Sequence, residues 1–383
     1  MKEFYKKILK ILFVFIASIN SASSEEVVKI GLLVPLSGES SYIGQSIIQS
    51  VRLGINKINN DRLLVLPRDT KSDPSTTLKI VDELYSEGTK IFIGPVFNKN
   101  LKELDKFQDA TFLSFTNKVL GNPNNVISSG INAKSQFDAI KKYLEMNDLD
   151  GTLVLIPKKS FKEEVEEAII KSRLKTKKIF YYDAEPTKLT KQIEKVTRYK
   201  IRKRNLEDEI KRVENSDEDN KERKLEILNK KDTLGRIGYD SIIIADFNES
   251  LKSVTTSLLY TDVSPKKVAF ISLNQWFDES LLKENTLHPI YFPSINKKNY
   301  ELFMDDFKNT YGVDADQLSF LSYDLIGLVY FLIYENGFKI SKKIFYKKNK
   351  FKGKIGIFEI SKNTITHQLN FYSIEDKKFK KIF

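Results

Sequence analysis

The chain has 383 residues, 41% hydrophobic and 30% charged, too long for one ordinary domain and apolar enough for two cores. It contains no cysteine, which excludes disulfides, thiol nucleophiles, Cys-based metal centres and a lipidated Cys anchor; with only His288 and His367, His-rich metal chemistry is not expected and no cofactor is foreseen. The net charge of +12 comes from lysines spread along the chain, densest from Lys339 to Phe383. No regular aromatic–basic spacing accompanies them, so they read as solvated surface and exclude nucleic acid as a partner.

Lys2, Lys6, Lys7 and Lys10 precede the apolar run Ile11–Ala17, and small residues follow at Ser21–Ser24. That order is a secretory signal peptide over residues 1–23, with cleavage after Ser23 or Ala22. The apolar run falls short of the ~20 residues a spanning helix needs. A mature periplasmic chain without a transmembrane anchor is the expectation.

Lys29–Pro35 is a near-continuous apolar run, as expected for a buried parallel strand. After the loop Leu36–Tyr42 a helix carries Ile47, Val51, Ile55 and Ile58, with Ser40 or Ser41 as N-cap. Leu63–Leu66 is the next strand, followed by a helix from Ser75 to Glu87. The strand Lys90–Pro95 leads through Val96–Asn100 into another helix, and Thr111–Phe115 is the fourth strand. The pattern restarts after Ser128: a helix over 135–147, the strand Thr152–Pro157, a helix over 162–172, and strands at Lys178–Tyr182, Ser241–Ala245 and Val268–Ser272. Such alternation describes right-handed βαβ units. The expected fold is α/β: two Rossmann-like lobes with parallel sheets joined by crossover strands. The lobes take residues 24–127 with 275–337, and 128–274 with 338–383.

Residues 188–234 interrupt this plan with dense Lys, Arg, Glu and Asp. Leu189, Ile193, Val196, Leu206, Ile210 and Val213 fall near a heptad seam that Leu225 and Leu228 resume, and 215–220 reads as a turn. A projecting helical hairpin, an antiparallel coiled coil, is expected; it is either a docking arm or a solvated helix pair.

Ile30-Gly-Leu-Leu-Val-Pro-Leu-Ser-Gly38, Gly44, Asp69-Thr-Lys-Ser-Asp-Pro74 and Phe351-Lys-Gly-Lys-Ile-Gly-Ile-Phe358 resemble segments of the type I periplasmic solute-binding family, which includes the leucine-binding proteins. Ile93–Leu104, Phe112–Asn117 and Leu153–Pro157 resemble the penicillin-binding-protein activators within that fold, and the charged hairpin is similar to an insertion in such relatives. The resemblance implies a non-enzymatic protein that regulates peptidoglycan synthesis by docking a peptidoglycan synthase (a penicillin-binding protein). The alternative is a receptor bringing an amino acid or similar small polar solute to an ABC permease.

Ligands of open α/β sheets sit beyond the carboxyl ends of the strands. Ser37, Tyr42, Phe97, Asn98, Thr116, Asn117, Asn274 and Trp276 are therefore the candidate cleft residues. Amino-acid receptors of this family usually place Ser or Thr after the third strand, where this chain has Phe97-Asn98. Glu249 is the candidate acid for an α-ammonium, or else a helix-start surface charge. No Gly-x-Ser-x-Gly elbow or phosphate-binding Gly-rich loop is present. His288 and His367 read as structural, Asp314 and Asp316 as a surface charge and a cap. No enzyme is expected.

Overall fold

The structure, a computed structural model, describes residues 27–383; the export signal expected over 1–23 lies outside the described residues. Two mixed sheets, mainly of parallel strands, are flanked by helices. The first contains β1 (Val28–Val34), β2 (Leu63–Asp69), β3 (Ile91–Ile93), β4 (Thr111–Ser114) and β5 (Val126–Ser128), all parallel in the order 2-1-3-4-5. The second repeats that plan with β6 (Thr152–Pro157), β7 (Lys178–Tyr182), β8 (Ser241–Ile244), β9 (Ala269–Ser272) and β10 (Ile290–Ser294), in the order 7-6-8-9-10. In such an order the strand sequence reverses beside the first strand of each half, and the opening this leaves lies at the carboxyl ends.

The C-terminal strands complete both sheets. β11 (Asn349–Lys352), β12 (Ile357–Ser361) and β13 (Thr364–Gln368) extend the first sheet past β5, whereas β14 (Asn370–Glu375) and β15 (Lys378–Lys381) extend the second past β10. The lobe boundaries thus differ from those expected. β10 pairs with β9 and β14, so the second lobe runs on to Ser294 instead of ending at residue 274. Because β13 pairs with β5, residues 349–368 belong to the first lobe. Among the described residues the chain crosses between lobes three times, after β5, after β10 and between β13 and β14.

The helices are α1 (Ser41–Ile58), α2 (Pro74–Ser86), α3 (Ala133–Met146), α4 (Lys162–Ser172), α5 (Pro186–Val196), α6 (Tyr199–Glu214), α7 (Lys221–Asn229), α8 (Asn248–Tyr260), α9 (Lys297–Tyr311), α10 (Gln317–Glu335) and α11 (Lys342–Tyr346). α10 has the length and apolarity of a membrane span, but it packs along α1 and most of it is buried, which makes it a core helix here. The helix expected after Asn100 is absent. Two 3-10 turns, Asn98–Leu101 and Leu104–Lys106, bury Leu101 and Leu104 instead, and Glu103 between them has a left-handed φ of 65° that an α-helix cannot accommodate.

The motifs have local causes. At Gly44 an added Cβ would lie 1.7 Å from the Pro35 carbonyl oxygen, so only glycine lets α1 start against the end of β1. Asp69 Oδ1 accepts from the amides of Leu36 (2.8 Å) and Lys71 (2.9 Å), and Asp73 caps α2 through Thr76 N (2.6 Å). Asp324, buried on α10, accepts from the amides of Lys354 and Ile355 at 2.8 Å each; a Cβ on Gly353 would come within 2.2 Å of that carboxylate. Burial pushes the Asp324 pKa up to about 6, against the pull of those two amides.

The charged insertion is a helical hairpin of α6 and α7 with its own small core of Leu206, Val213 and Leu228. The heptad seam is not continuous, however. Leu189, Ile193 and Val196 lie on α5, packed on α8 within the lobe core, and Arg198 breaks the helix with φ 56°. Arg202 pins the hairpin root: its buried guanidinium donates to Thr197 O (3.1 Å), Thr233 Oγ1 (2.8 Å) and the Thr261 carbonyl.

Candidate functional site

The loops at the carboxyl ends of β3, β4, β6, β8 and β9 face one another across a cleft of about 680 Å³, within the usual range for a small-molecule site. The first lobe contributes Phe97 and Asn98 after β3, Thr116, Asn117 and Lys118 after β4, and Gln317 and Leu318 from the start of α10. The second lobe contributes Ser160, Phe161 and Glu164 around the start of α4, Phe247 after β8, and Trp276 after β9.

Five of the eight residues picked out by sequence thus meet here: Phe97, Asn98, Thr116, Asn117 and Trp276. Three do not. Ser37 stands exposed in the first loop, away from the cleft; against the desolvation that raises it, the Asp69 carboxyl beneath that loop is held below its usual range by the Leu36 amide first, with the Ser37 and Lys71 groups adding to it. Tyr42 begins α1 and is 63% exposed. Asn274 is buried and structural: its Oδ1 accepts from Trp276 N (3.0 Å) and Ser294 Oγ (2.8 Å), and its own amide donates to Gln136 Oε1 (2.8 Å). That clamp holds Trp276 and Phe277 at φ 49° and 60°, two successive left-handed residues, the kind of strain that persists only where surroundings impose it. Trp276 and Phe277 in turn approach Tyr300 of α9, with centroids 6.4 and 6.1 Å apart, across the lobe junction.

Glu164 carries no motif. Its Oε1 accepts the amides of Val119 (2.9 Å) and Leu120 (2.7 Å), a direct latch from the second lobe to the β4 exit loop of the first. Only the tertiary meeting of α4 with that loop reveals it; on sequence Glu164 is one more charge in an amphipathic helix. Other wall groups are bonded within the protein: Thr116 Oγ1 accepts Lys118 N (3.1 Å), and Gln136 Nε2 donates to Ile131 O (3.3 Å). Behind Phe247, the buried Asp246 accepts from Tyr182 OH (2.6 Å), Ser250 Oγ (2.7 Å) and Lys159 Nζ (2.7 Å). Burial first, and that carboxylate second, raise the Tyr182 pKa, so the phenol stays a donor.

The remaining candidates are structural or superficial. Glu249 is exposed and pairs with Lys252 (2.9 Å). His288 bonds the Leu281 carbonyl (2.9 Å). His367 is fully buried against the Ser129 carbonyl (2.9 Å), and burial lowers its pKa to about 4. Asp314 pairs with Lys308 (2.9 Å), and Asp316 caps α10 through Leu318 N (2.8 Å), its pKa raised by desolvation.

Residues 27–138 match a family model described as periplasmic binding protein. A curated, uncharacterized protein of Methanocaldococcus jannaschii is 30% identical over 95 residues, a match spanning 23% of this chain and 23% of that relative. Among solved structures, a putative branched-chain amino acid ABC transporter protein from Rhodospirillum rubrum aligns at TM-score 0.70 with 11% identity, covering 93% of this chain and 100% of the other. The LpoA C-domain from Haemophilus influenzae, described as a regulator of PBP1A, aligns at 0.59 with 16% identity over 93% and 100%. LivJ from Streptococcus pneumoniae, in complex with isoleucine, aligns at 0.54 with 13% identity over 93% and 99%. At these identities the likenesses show the fold, and that fold is the two-lobed type I periplasmic binding fold.

Proposed function

We propose that this chain, built on the type I periplasmic binding fold and matching the periplasmic-binding-protein family along its first lobe, is an exported, non-enzymatic binding protein of the periplasm that docks a peptidoglycan synthase. The observation that carries this reading is the Glu164 latch: the one carboxylate lining the cleft among the described residues is engaged by the Val119 and Leu120 amides. A zwitterionic amino acid needs a carboxylate for its ammonium and hydroxyls or helix-start amides for its carboxylate. The loop after β3 offers Phe97 and Asn98 in place of such hydroxyls. The likeness to LpoA supports the same reading, and the α6–α7 hairpin, with a core separate from the lobes, is the docking element.

Pull-down of purified penicillin-binding protein by the chain, with and without the hairpin, tests this; retention that ends when the hairpin is removed is the expected result. The second reading, delivery of a small polar solute to an ABC permease, is favoured by the likeness to the branched-chain amino acid binding proteins. A thermal-shift panel of amino acids separates the two. A ligand at 100 times its Kd stabilises by about 2.7 kcal/mol, and such a shift with one amino acid would replace docking by transport.

A further inference from the structure

α10 starts at the cleft with Gln317 and Leu318 and runs for 19 residues, so its end at Glu335 lies about 28 Å away. That end is the pole of the first lobe where the strands begin. Arg62, just before β2, lies over the Phe338 ring at 3.7 Å, and Lys342 Nζ donates to the carbonyl of Gln108 (2.9 Å), just before β4. Residues 336–358, which cover this pole, hold eight lysines and no aspartate or glutamate. Buried Phe338 and Phe345 moor the segment, while Lys339, Lys343, Lys347, Lys348, Lys350 and Lys352 stand exposed. Among the described residues only Lys348 of the eight pairs with a carboxylate, Glu359 at 3.4 Å. The hairpin, also dense in charge, differs: there Arg212 pairs with Glu209 and Glu218, and Lys230 with Glu226.

Apolar groups surface at the same pole. Phe331, Tyr334 and Ile340 are 45%, 56% and 38% exposed. Ring contacts join them to their surroundings, Phe331 to Phe351 (5.3 Å) and Tyr334 to Tyr330 (5.8 Å) and Phe338 (6.2 Å). A soluble polyanion would use the lysines and leave these groups bare. A bilayer uses both, since rings and aliphatic groups enter the headgroup layer while lysines meet the phosphates. We infer that this pole of the first lobe docks on the surface of an anionic phospholipid bilayer, with Tyr334 and Ile340 in the headgroup layer and Lys339, Lys343, Lys347 and Lys348 on the lipid phosphates. The cleft, at the other end of α10, stays open to solvent in this orientation. The hairpin belongs to the other lobe, so the inference goes beyond both readings of the function and depends on neither.

The purified chain is sedimented with phosphatidylcholine vesicles made with and without phosphatidylglycerol. Binding that requires phosphatidylglycerol and falls as salt is raised is expected. Each lysine on an anionic surface contributes about fivefold in partitioning. Replacing Lys339, Lys343, Lys347 and Lys348 together by Gln is therefore expected to weaken binding by about a hundredfold or more, with the melting temperature unchanged. Tyr334→Ser combined with Ile340→Ser is expected to weaken it about tenfold. Replacing the exposed Lys191, Lys195, Lys200 and Lys203 by Gln removes the same charge from the second lobe and should leave binding within about twofold. Any contribution of the apolar run Ile11–Ala17 is common to all these chains and indifferent to lipid charge, so it drops out of the comparison. The inference is overturned if phosphatidylglycerol does not enhance binding, if either pole variant binds as wild type, or if the second-lobe control loses as much as the four-lysine variant. Binding of polyphosphate with none of vesicles would overturn it too. Vesicle binding that survives in a chain unable to pull down penicillin-binding protein would leave this inference standing without the docking reading; the reverse result would do the opposite.

Discussion

Replacing Glu164 by Ala removes the single oxygen that accepts the Val119 and Leu120 amides at 2.9 and 2.7 Å. Amide-to-carboxylate hydrogen bonds contribute about 1.5–3 kcal/mol each. Glu164 is only half-buried, and in the open form water takes over part of the bonding, so the pair is worth about 2–3 kcal/mol to the latched form. At about 1.4 kcal/mol per factor of ten, the unlatched population rises roughly 30- to 150-fold. Native-state hydrogen exchange reads this directly. The Val119 and Leu120 amides should exchange faster by that factor in the variant, while those of Phe112 and Leu113 in β4 keep wild-type rates. Glu164→Gln, which retains a neutral acceptor, should fall between. Unchanged exchange at residues 119 and 120, or an equal acceleration in β4, would refute the latch.

Gly353→Ala should destabilise the first lobe by about 2–4 kcal/mol in urea denaturation, since its Cβ would press within 2.2 Å of the carboxylate that holds the Lys354 and Ile355 amides. Two buried groups oppose each other with pH. Asp324, raised from 3.8 to about 6, contributes stability that is present below pH 3.8 and lost as pH rises through 6. His367, depressed from 6.5 to about 4, contributes stability that is present above pH 6.5 and lost as pH falls through 4. Each is worth about 3 kcal/mol at about 1.4 kcal/mol per pH unit. The stability difference between His367→Phe and wild type should therefore move in the variant's favour by about that amount between pH 6.5 and 4; a flat difference by denaturant titration would contradict it. Replacing residues 199–231 by a short Gly/Ser linker should leave the melting temperature within a few degrees of wild type, because the hairpin core is separate from the lobe core. Arg202→Ala, which strands three buried acceptors at the hairpin root, should speed proteolysis of the hairpin and also lower the melting temperature of the lobes by a few degrees, because the Thr197 and Thr261 carbonyls close the lobe helices α5 and α8.

The α/β halves were legible because apolar runs such as Leu32–Val34 and Ile242–Ile244 are buried on both faces and so show no alternation. The return crossings were not. Whether a C-terminal strand joins one sheet or the other depends on the pairing of Thr364 with Ser128 and of Ile290 with Ile374, partners far apart in the chain that leave no local pattern. The same limit governs the cleft. Phe97, Asn98, Thr116, Asn117 and Trp276 follow strands directly, and strand ends point there. Glu164 acts through a loop 44 residues away, and Asn274, though it follows a strand, turns inward to hold its neighbour. In the insertion, heptad spacing persisted through Val196, but the left-handed Arg198 redirected the chain so that one part of the seam serves the lobe and the rest the hairpin.

The triple crossing has a consequence for biosynthesis. Neither lobe is a continuous stretch of chain: β11–β13 reach the first sheet only after every parallel strand of the second has been made, and β14–β15 come later still. A nascent chain leaving the synthesis machinery thus carries two unfinished sheets at once, each with β5 or β10 as an open edge able to pair with a neighbour. The two lobes mature nearly together, once residues 349–381 have been made. A premature stop in that region would spare the cleft-lining residues and yet leave both sheets with open edges, making aggregation rather than loss of a binding group its first effect.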